Sequence, residues 1–280
     1  MLNFVSSWFV ILYIKCTFAN NFTSMNKDFK MVATTMFGLE SVLAEELTNL
    51  GAKDVQESIR SVSFKGDEGF MYKANIALRT AIRILKPIKV TKIYDEEDLY
   101  DTVKKIKWEK YLDIDGTFAI GAVSNSKNLP NHSHYIALKS KDAIADYFRD
   151  NFGKRPDVDV DYPDLKIHIH INKDLLTISL DSSGDSLHKR GYRTATNIAP
   201  INEVLAAGMV LLSGYRGDEN FIDPMCGSGT ILIEAAMIAN NIPANINRKR
   251  FGFESWKDYD EELYFTIQDS LLKLEVLTLK

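Results

Sequence analysis

The chain is 280 residues long, 45% hydrophobic and 26% charged, which is room for two or more units that each bury a core. Its formal net charge of −4 excludes a chain held to nucleic acid by overall charge, so any such surface has to be local. Two cysteines, Cys16 and Cys226, stand far apart without CxxC spacing; this argues against a disulfide framework or a structural zinc site and fits a reducing cytoplasm.

Residues 1–24 carry an apolar run from Trp8 to Ile14, closed by Lys15 and preceded by no basic residue. The run is too short to span a bilayer and lacks the charged start of a signal peptide, so the expected native start is Met25, with 1–24 a non-native extension. Phe29 to Thr35 reads as a strand. LESVLAEELTNLGA then repeats apolar residues at Leu39, Val42, Leu43 and Leu47, a helical spacing that Gly51 ends. A strand around Val62 to Phe64, a helix from about Glu68 to Thr80 and a β-rich stretch from Ile82 to Ile93 complete an α+β pattern. Next come an acid-led helix from Asp95, a strand in GTFAIGAVSN and a helix from Ser133 to Phe152. LKIHIHIN and LLTISLD alternate about an Asn-Lys-Asp turn, a hairpin pattern. His168 and His170 share one strand face, but with no third ligand nearby they read as a half-exposed face rather than a metal site.

After Asp181 a basic loop, SSGDSLHKRGYRTATNIAP, leads to a helix whose expected core face is Val204, Leu205, Met209 and Leu212. FIDPMCGSGTILIEAAMIA follows, read as a strand ending at Asp223, a tight loop with Gly227 and Gly229, and a helix from Thr230. Glycines let a ligand meet bare backbone, the helix start favours an anionic group, and Asp223 can accept from an amine. S-adenosylmethionine (SAM) has both a carboxylate and an amine. No Lys follows Gly229, against a triphosphate loop, and Leu232 stands where a dinucleotide fingerprint needs its third glycine. Cys226 has no basic neighbour to activate it as a nucleophile, so a position against the methyl donor is the better reading.

These segments closely resemble the bacterial large-subunit ribosomal-RNA guanine-N2 methyltransferases that carry a THUMP RNA-binding domain. The likeness runs through TTMFGLESVLAEELTNLGA, YKANIALRTAIRIL, YDEEDLYDTVKKIKW, LDSSGDSLHKRGYR, APINE and DPMCGSGT, about Met25 to Trp256. It implies α+β followed by α/β: a ferredoxin-like subdomain at 25–68, a THUMP domain at 69–181 and the start of a Rossmann-like SAM-dependent methyltransferase domain at 182–280. It assigns cofactor contacts to Asp223, Pro224, Cys226, Gly227, Ser228, Gly229 and Thr230, with Ala199, Pro200 and Glu203 closing over the methionine end. It also implies RNA, 23S rRNA in particular, as partner, with no membrane and no metal. RNA contacts are expected at Lys139, Lys141, Arg149 and Arg155, with Lys154 beside them, and at Lys189, Arg190, Tyr192 and Arg193. A third basic cluster is Arg248, Lys249 and Arg250. His188 reads as polar surface.

The family's Asn-Pro-Pro-aromatic motif, which holds the target amine, occurs nowhere in the 280 residues, and Asp258, Asp260 and Glu261 read as a solvated helix. The expectation is therefore a C-terminally truncated chain without an identifiable catalytic residue. An RNA-binding module at 28–181 alone is the alternative. Apolar surface is expected along Ile231 to Ile238.

Overall fold

The computed structural model describes residues 27–126, 132–193 and 200–274. The expected extension at 1–24 and Met25, together with Ala199, lie outside them.

Strand β1 (Phe29–Thr34) starts a sheet. Helix α1 (Glu40–Leu50) buries Leu43, Ala44 and Leu47 on that sheet and ends where the Gly51 N–H donates back into its last turn. The hairpin β2 (Lys53–Ser58) and β3 (Ser61–Gly66) places β3 antiparallel to β1. Strand β2 escaped the sequence reading because its side chains, KDVQES, are almost all exposed and carry no apolar alternation. Helix α2 (Glu68–Ala77) starts on Asp67, whose carboxylate accepts from the Phe70 N–H, and turns Met71, Tyr72, Ala74, Asn75 and Ile76 inward.

Strand β4 (Arg83–Lys92) is the joint of the molecule. Its first residues pair with β1, Val32 opposite Leu85, and along most of its length it also pairs with β8 (Leu175–Asp181). A register shift falls between Pro87 and Lys89, where the proline has no N–H to donate. The two α+β units expected from sequence therefore share one eight-stranded sheet, ordered β2-β3-β1-β4-β8-β7-β5-β6.

Helix α3 (Glu96–Lys104), capped by Asp95, packs on α4 (Ser133–Phe152). Between them Trp108 is fully buried, its indole donating to Val103 O at 2.8 Å. Strand β5 (Thr117–Asn125) runs parallel to β6 (Asp157–Val158) and β7 (Leu165–Asn172), with α4 as the crossover. Leu165, Ile167, Ile169 and Ile171 alternate inward along β7, each buried to within 1%. Each such side chain contributes about 1.5–3 kcal/mol of apolar burial. The other face of β7 carries Lys166 and His168, half-buried beneath the 3-10 turn Gly252–Ser255.

Helices α5 (Glu203–Leu212) and α6 (Thr230–Ala239) pack on each other, and α5 also meets α1. The buried face of α5 is Val204, Ala206, Ala207, Gly208 and Val210. This corrects the expected face, since Leu205, Met209 and Leu212 are exposed. The close approach of Leu39 to Gly208 selects the small-residue side, because a Cβ there would lie 2.5 Å from a Leu39 methyl. On α6 the expected apolar exposure is partial: Ala235 and Met237 are buried and Ile233 is exposed.

The expected strand at Asn220–Asp223 is not formed. A strand is held by ladder bonds to a neighbour, and no strand among the described residues lies beside this one. Ile222 is accordingly 83% exposed. At the final helix α7 (Glu261–Leu272), Asp258, Asp260 and Glu261 are exposed as expected, while the opposite face packs on α2, burying Tyr264 and Leu271. Asp260 caps it, accepting from the Leu263 N–H at 2.9 Å, and Tyr72 stacks on Phe253 at 4.4 Å.

Candidate functional site

The glycine loop is a tight turn closed by the Gly229 N–H donating to Cys226 O at 2.7 Å. Gly227 and Gly229 hold φ of +54° and +74°, where side-chained residues are strained, and a Cβ at either would meet nothing within 4 Å. Bare backbone therefore faces open space at the start of α6. Asp223 Oδ1 accepts from the Met225 N–H at 3.0 Å, leaving its other oxygen to accept from a ligand amine. Ser228 and Thr230 hydroxyls lie 3.1 Å apart. Asp223 and Gly229 are half-buried, Thr230 is buried, and Pro224, Cys226, Gly227 and Ser228 are exposed.

Two other expected cofactor contacts, Pro200 and Glu203, line a cleft of about 830 Å³. It opens between the loop at Tyr162 and the start of β7 at Lys166, the segment 184–193, the start of α5, and residues 248–252. Glu203 is 5% exposed and ion-paired with Arg193 at 3.0 Å. Its carboxylate is thus already occupied. The floor of the cleft depends on one glycine contact: at Gly191, φ +89°, a Cβ would sit 2.1 Å from Asn247 O.

Beneath the cleft lies a buried polar network that sequence reading missed. Glu234, fully buried, accepts from Arg190 Nε at 3.4 Å and from the Tyr192 hydroxyl at 3.0 Å. Arg190 also donates to Leu187 O and Asn245 Oδ1, both at 3.0 Å, and to Arg79 O. Asn245 in turn donates to Asn75 O and Leu78 O. Burial pushes the Glu234 carboxyl up, opposed chiefly by the Arg190 charge, and drives Tyr192 far above the ordinary phenol range. The visible signal was a lone acid within the apolar run TILIEAAMIA.

Arg190 is therefore removed from the expected RNA surface: it is 1% exposed and bound on all sides. Tyr192 is half-buried and tethered by its hydroxyl, and Arg193 is turned inward onto Glu203, Ile201 O and Thr230. The other expected contacts remain near the surface. Lys139 pairs with Glu97 at 2.8 Å, Lys141 with Asp142 at 2.9 Å, Arg149 with Asp146 at 2.9 Å, Lys154 with Asp115 and Lys189 with Asp185 at 3.1 Å. Such exposed pairs are worth about 0–1 kcal/mol, so a phosphate can compete for the cation. Arg155 and Lys249 are exposed, and Arg250 lies 3.8 Å from Asp164. Arg248 is a structural residue, donating to the carbonyls of Ser183, Asp185, Ser186 and Lys189, with burial lowering its pKa to about 10. His188 accepts or donates at Ser186 Oγ, 2.7 Å away.

The chain thus has two parts: a sheet unit with basic residues along one cleft, and a glycine turn that opens a helix and leaves bare backbone exposed. Comparison with known proteins makes that division specific. The chain matches the RlmL ferredoxin-like domain over residues 30–85, the THUMP domain over 94–181 and the RMKL-like methyltransferase domain over 190–277. It is 39% identical over 235 residues to a Synechocystis sp. protein named "Putative RNA methyltransferase", covering 84% of this chain and 61% of that one. It is 40% identical over 248 residues to the ribosomal RNA large subunit methyltransferase K/L of Syntrophotalea carbinolica, covering 87% and 34%. Among solved structures it resembles SMU.472, described as "a putative methyltransferase complexed with SAH", at TM-score 0.78 and 35% identity, covering 91% and 67%. The chain belongs to the THUMP-containing RMKL-like methyltransferase family. It spans 61% and 34% of the two curated relatives' lengths.

Proposed function

We propose that this chain serves transfer of a methyl group from SAM to N2 of a guanine in RNA, 23S rRNA in particular, in the cytoplasm. One observation carries the reading: a THUMP match at 94–181 and a methyltransferase match at 190–277 stand on one chain, with an open glycine turn at the start of α6. The residues fit the cofactor. Backbone at Cys226, Gly227, Ser228 and Gly229 lies open to a ligand, Pro224 shapes the turn, Thr230 opens the helix, and Asp223 can accept from the amine. Pro200 and Glu203, with Ala199, would close over the methionine end.

Bound SAM supplies an electrophilic methyl group, and a guanine amine is a nucleophile that needs no metal to react with it. What the chain contributes is position: effective concentration of two reactants held in line. The basic side chains Arg155, Lys189, Lys249 and Arg250 are suited to phosphate, and pairing at Lys139, Lys141 and Arg149 is weak enough to yield to it. An amine in a base pair is out of reach, so the acceptor base has to be unpaired or turned out of its stack. Among the described residues no helix is long and apolar enough to cross a membrane.

Calorimetric titration with S-adenosylhomocysteine (SAH) and with NAD, beside RNA retention at rising salt, tests this reading. SAH binding without NAD binding, and RNA affinity that falls with salt, are the expected results. RNA binding with no affinity for SAH would leave the RNA-binding module alone. Affinity for NAD instead of SAH would overturn the methyltransferase reading.

A further inference from the structure

We propose that Arg193 is the positioning residue for the amino-acid end of the cofactor, pinning the starts of α5 and α6 to each other. The inference rests on the reading of the glycine turn as a SAM site. Segment 190–193 lies along one face of α6. Arg190 and Tyr192 bond Glu234, and Arg193 bonds Thr230, four residues earlier and so on the same side of the helix. Arg193 then does what its two neighbours do not. Its Nη2 lies 3.1 Å from Thr230 Oγ1, the first residue of α6, and 3.0 Å from Glu203 Oε1, the first residue of α5. The same nitrogen donates to Ile201 O at 3.3 Å. One guanidinium thus fixes the separation of two helix starts, each carrying expected cofactor contacts.

The charge balance matters as much as the distance. Helix starts draw a carboxylate through their free N–H groups. Glu203 puts an anion at one of those starts, and Arg193 neutralises it. Without Arg193, the Glu203 carboxylate would be buried, unpaired and repulsive to the cofactor's own carboxylate, and α6 would lose the tie on its first turn.

The test compares two nucleosides on the full chain by calorimetry: SAH, and methylthioadenosine, which lacks the carboxylate and the amine. Arg193→Ala should weaken SAH about tenfold or more while leaving methylthioadenosine within about twofold. Arg193→Lys, which keeps the charge but not the fork, should fall between. Adding Glu203→Gln to Arg193→Ala should recover part of the loss by removing the uncovered anion. Equal affinity of wild type and Arg193→Ala for SAH, or equal losses for both nucleosides, would overturn the positioning role while leaving the cofactor reading intact. A wild-type chain that binds neither nucleoside would overturn both. Arg193→Ala should also melt lower, because the Glu203 anion is left uncovered, so both nucleosides are titrated below the melting transition of each variant, where only a site effect separates SAH from methylthioadenosine.

Discussion

Replacing Glu234 with Leu tests the buried network most directly. The carboxylate is fully buried, and its removal leaves the Arg190 guanidinium, 1% exposed, with only the neutral acceptors Leu187 O, Asn245 Oδ1 and Arg79 O. Breaking one partner of a buried pair costs about 3–5 kcal/mol, because the survivor is an uncompensated charge. The Tyr192 hydroxyl, bonded to the same oxygen at 3.0 Å, loses its acceptor as well, which adds about 1 kcal/mol. Glu234→Leu is therefore expected to lower stability by about 4–6 kcal/mol in urea unfolding. Arg190→Met combined with Glu234→Leu should cost less than Glu234→Leu alone, since two apolar groups then occupy the site and no bare charge remains. A Glu234→Leu loss below about 1 kcal/mol, or a double variant whose loss equals the sum of the single losses, would refute the account of Glu234 as counter-ion.

Three further outcomes follow from other parts of the molecule. Gly191→Ala should destabilise by about 3 kcal/mol or more, combining left-handed strain with a clash against Asn247 O, whereas Gly229→Ala, with open space around it, should cost only the strain of about 1–2 kcal/mol; urea unfolding of the pair measures the difference. Burial, with the nearby His170 and Arg83 charges, lowers the His168 pKa to about 4 from 6.5. The unfolded chain therefore binds more protons between those values, and the stability due to neutral His168, on the order of 3 kcal/mol, is present above pH 6.5 and lost as pH falls through 4. His168→Phe should flatten that part of the pH-stability curve, and an unchanged slope between pH 6.5 and 4 would count against it. Lys249→Glu with Arg155→Glu should weaken RNA binding and reduce its salt slope by about 2, while Arg248→Ala should act mainly through stability; filter binding at three salt concentrations separates the two effects.

Much of this protein was written into its local sequence. The alternation in LKIHIHIN and LLTISLD forms the β7-β8 hairpin, the apolar spacing from Leu39 to Leu47 forms α1, and Ser133 to Phe152 is one helix, because period and end signals act over a few residues. The glycine turn was legible for the same reason: positive φ at Gly227 and Gly229 is a local demand. The family segments extended that reading to the THUMP and methyltransferase parts, as the matches over 94–181 and 190–277 bear out.

Other features were decided only by tertiary structure. FIDP has the composition of a strand, yet a strand exists by its neighbour, and none lies beside it among the described residues. The α5 run NEVLAAGMVLLSGY is apolar nearly all round, so periodicity could not choose its face, and the Leu39 side chain packed on Gly208 did. Arg190 and Arg193 look like surface cations in HKRGYR. Partners 44 residues away at Glu234 and 37 away at Thr230 make one a buried counter-ion and the other a tie between two helix starts. Charge in a sequence says that a residue needs a partner or water; only the folded chain determines which one it gets.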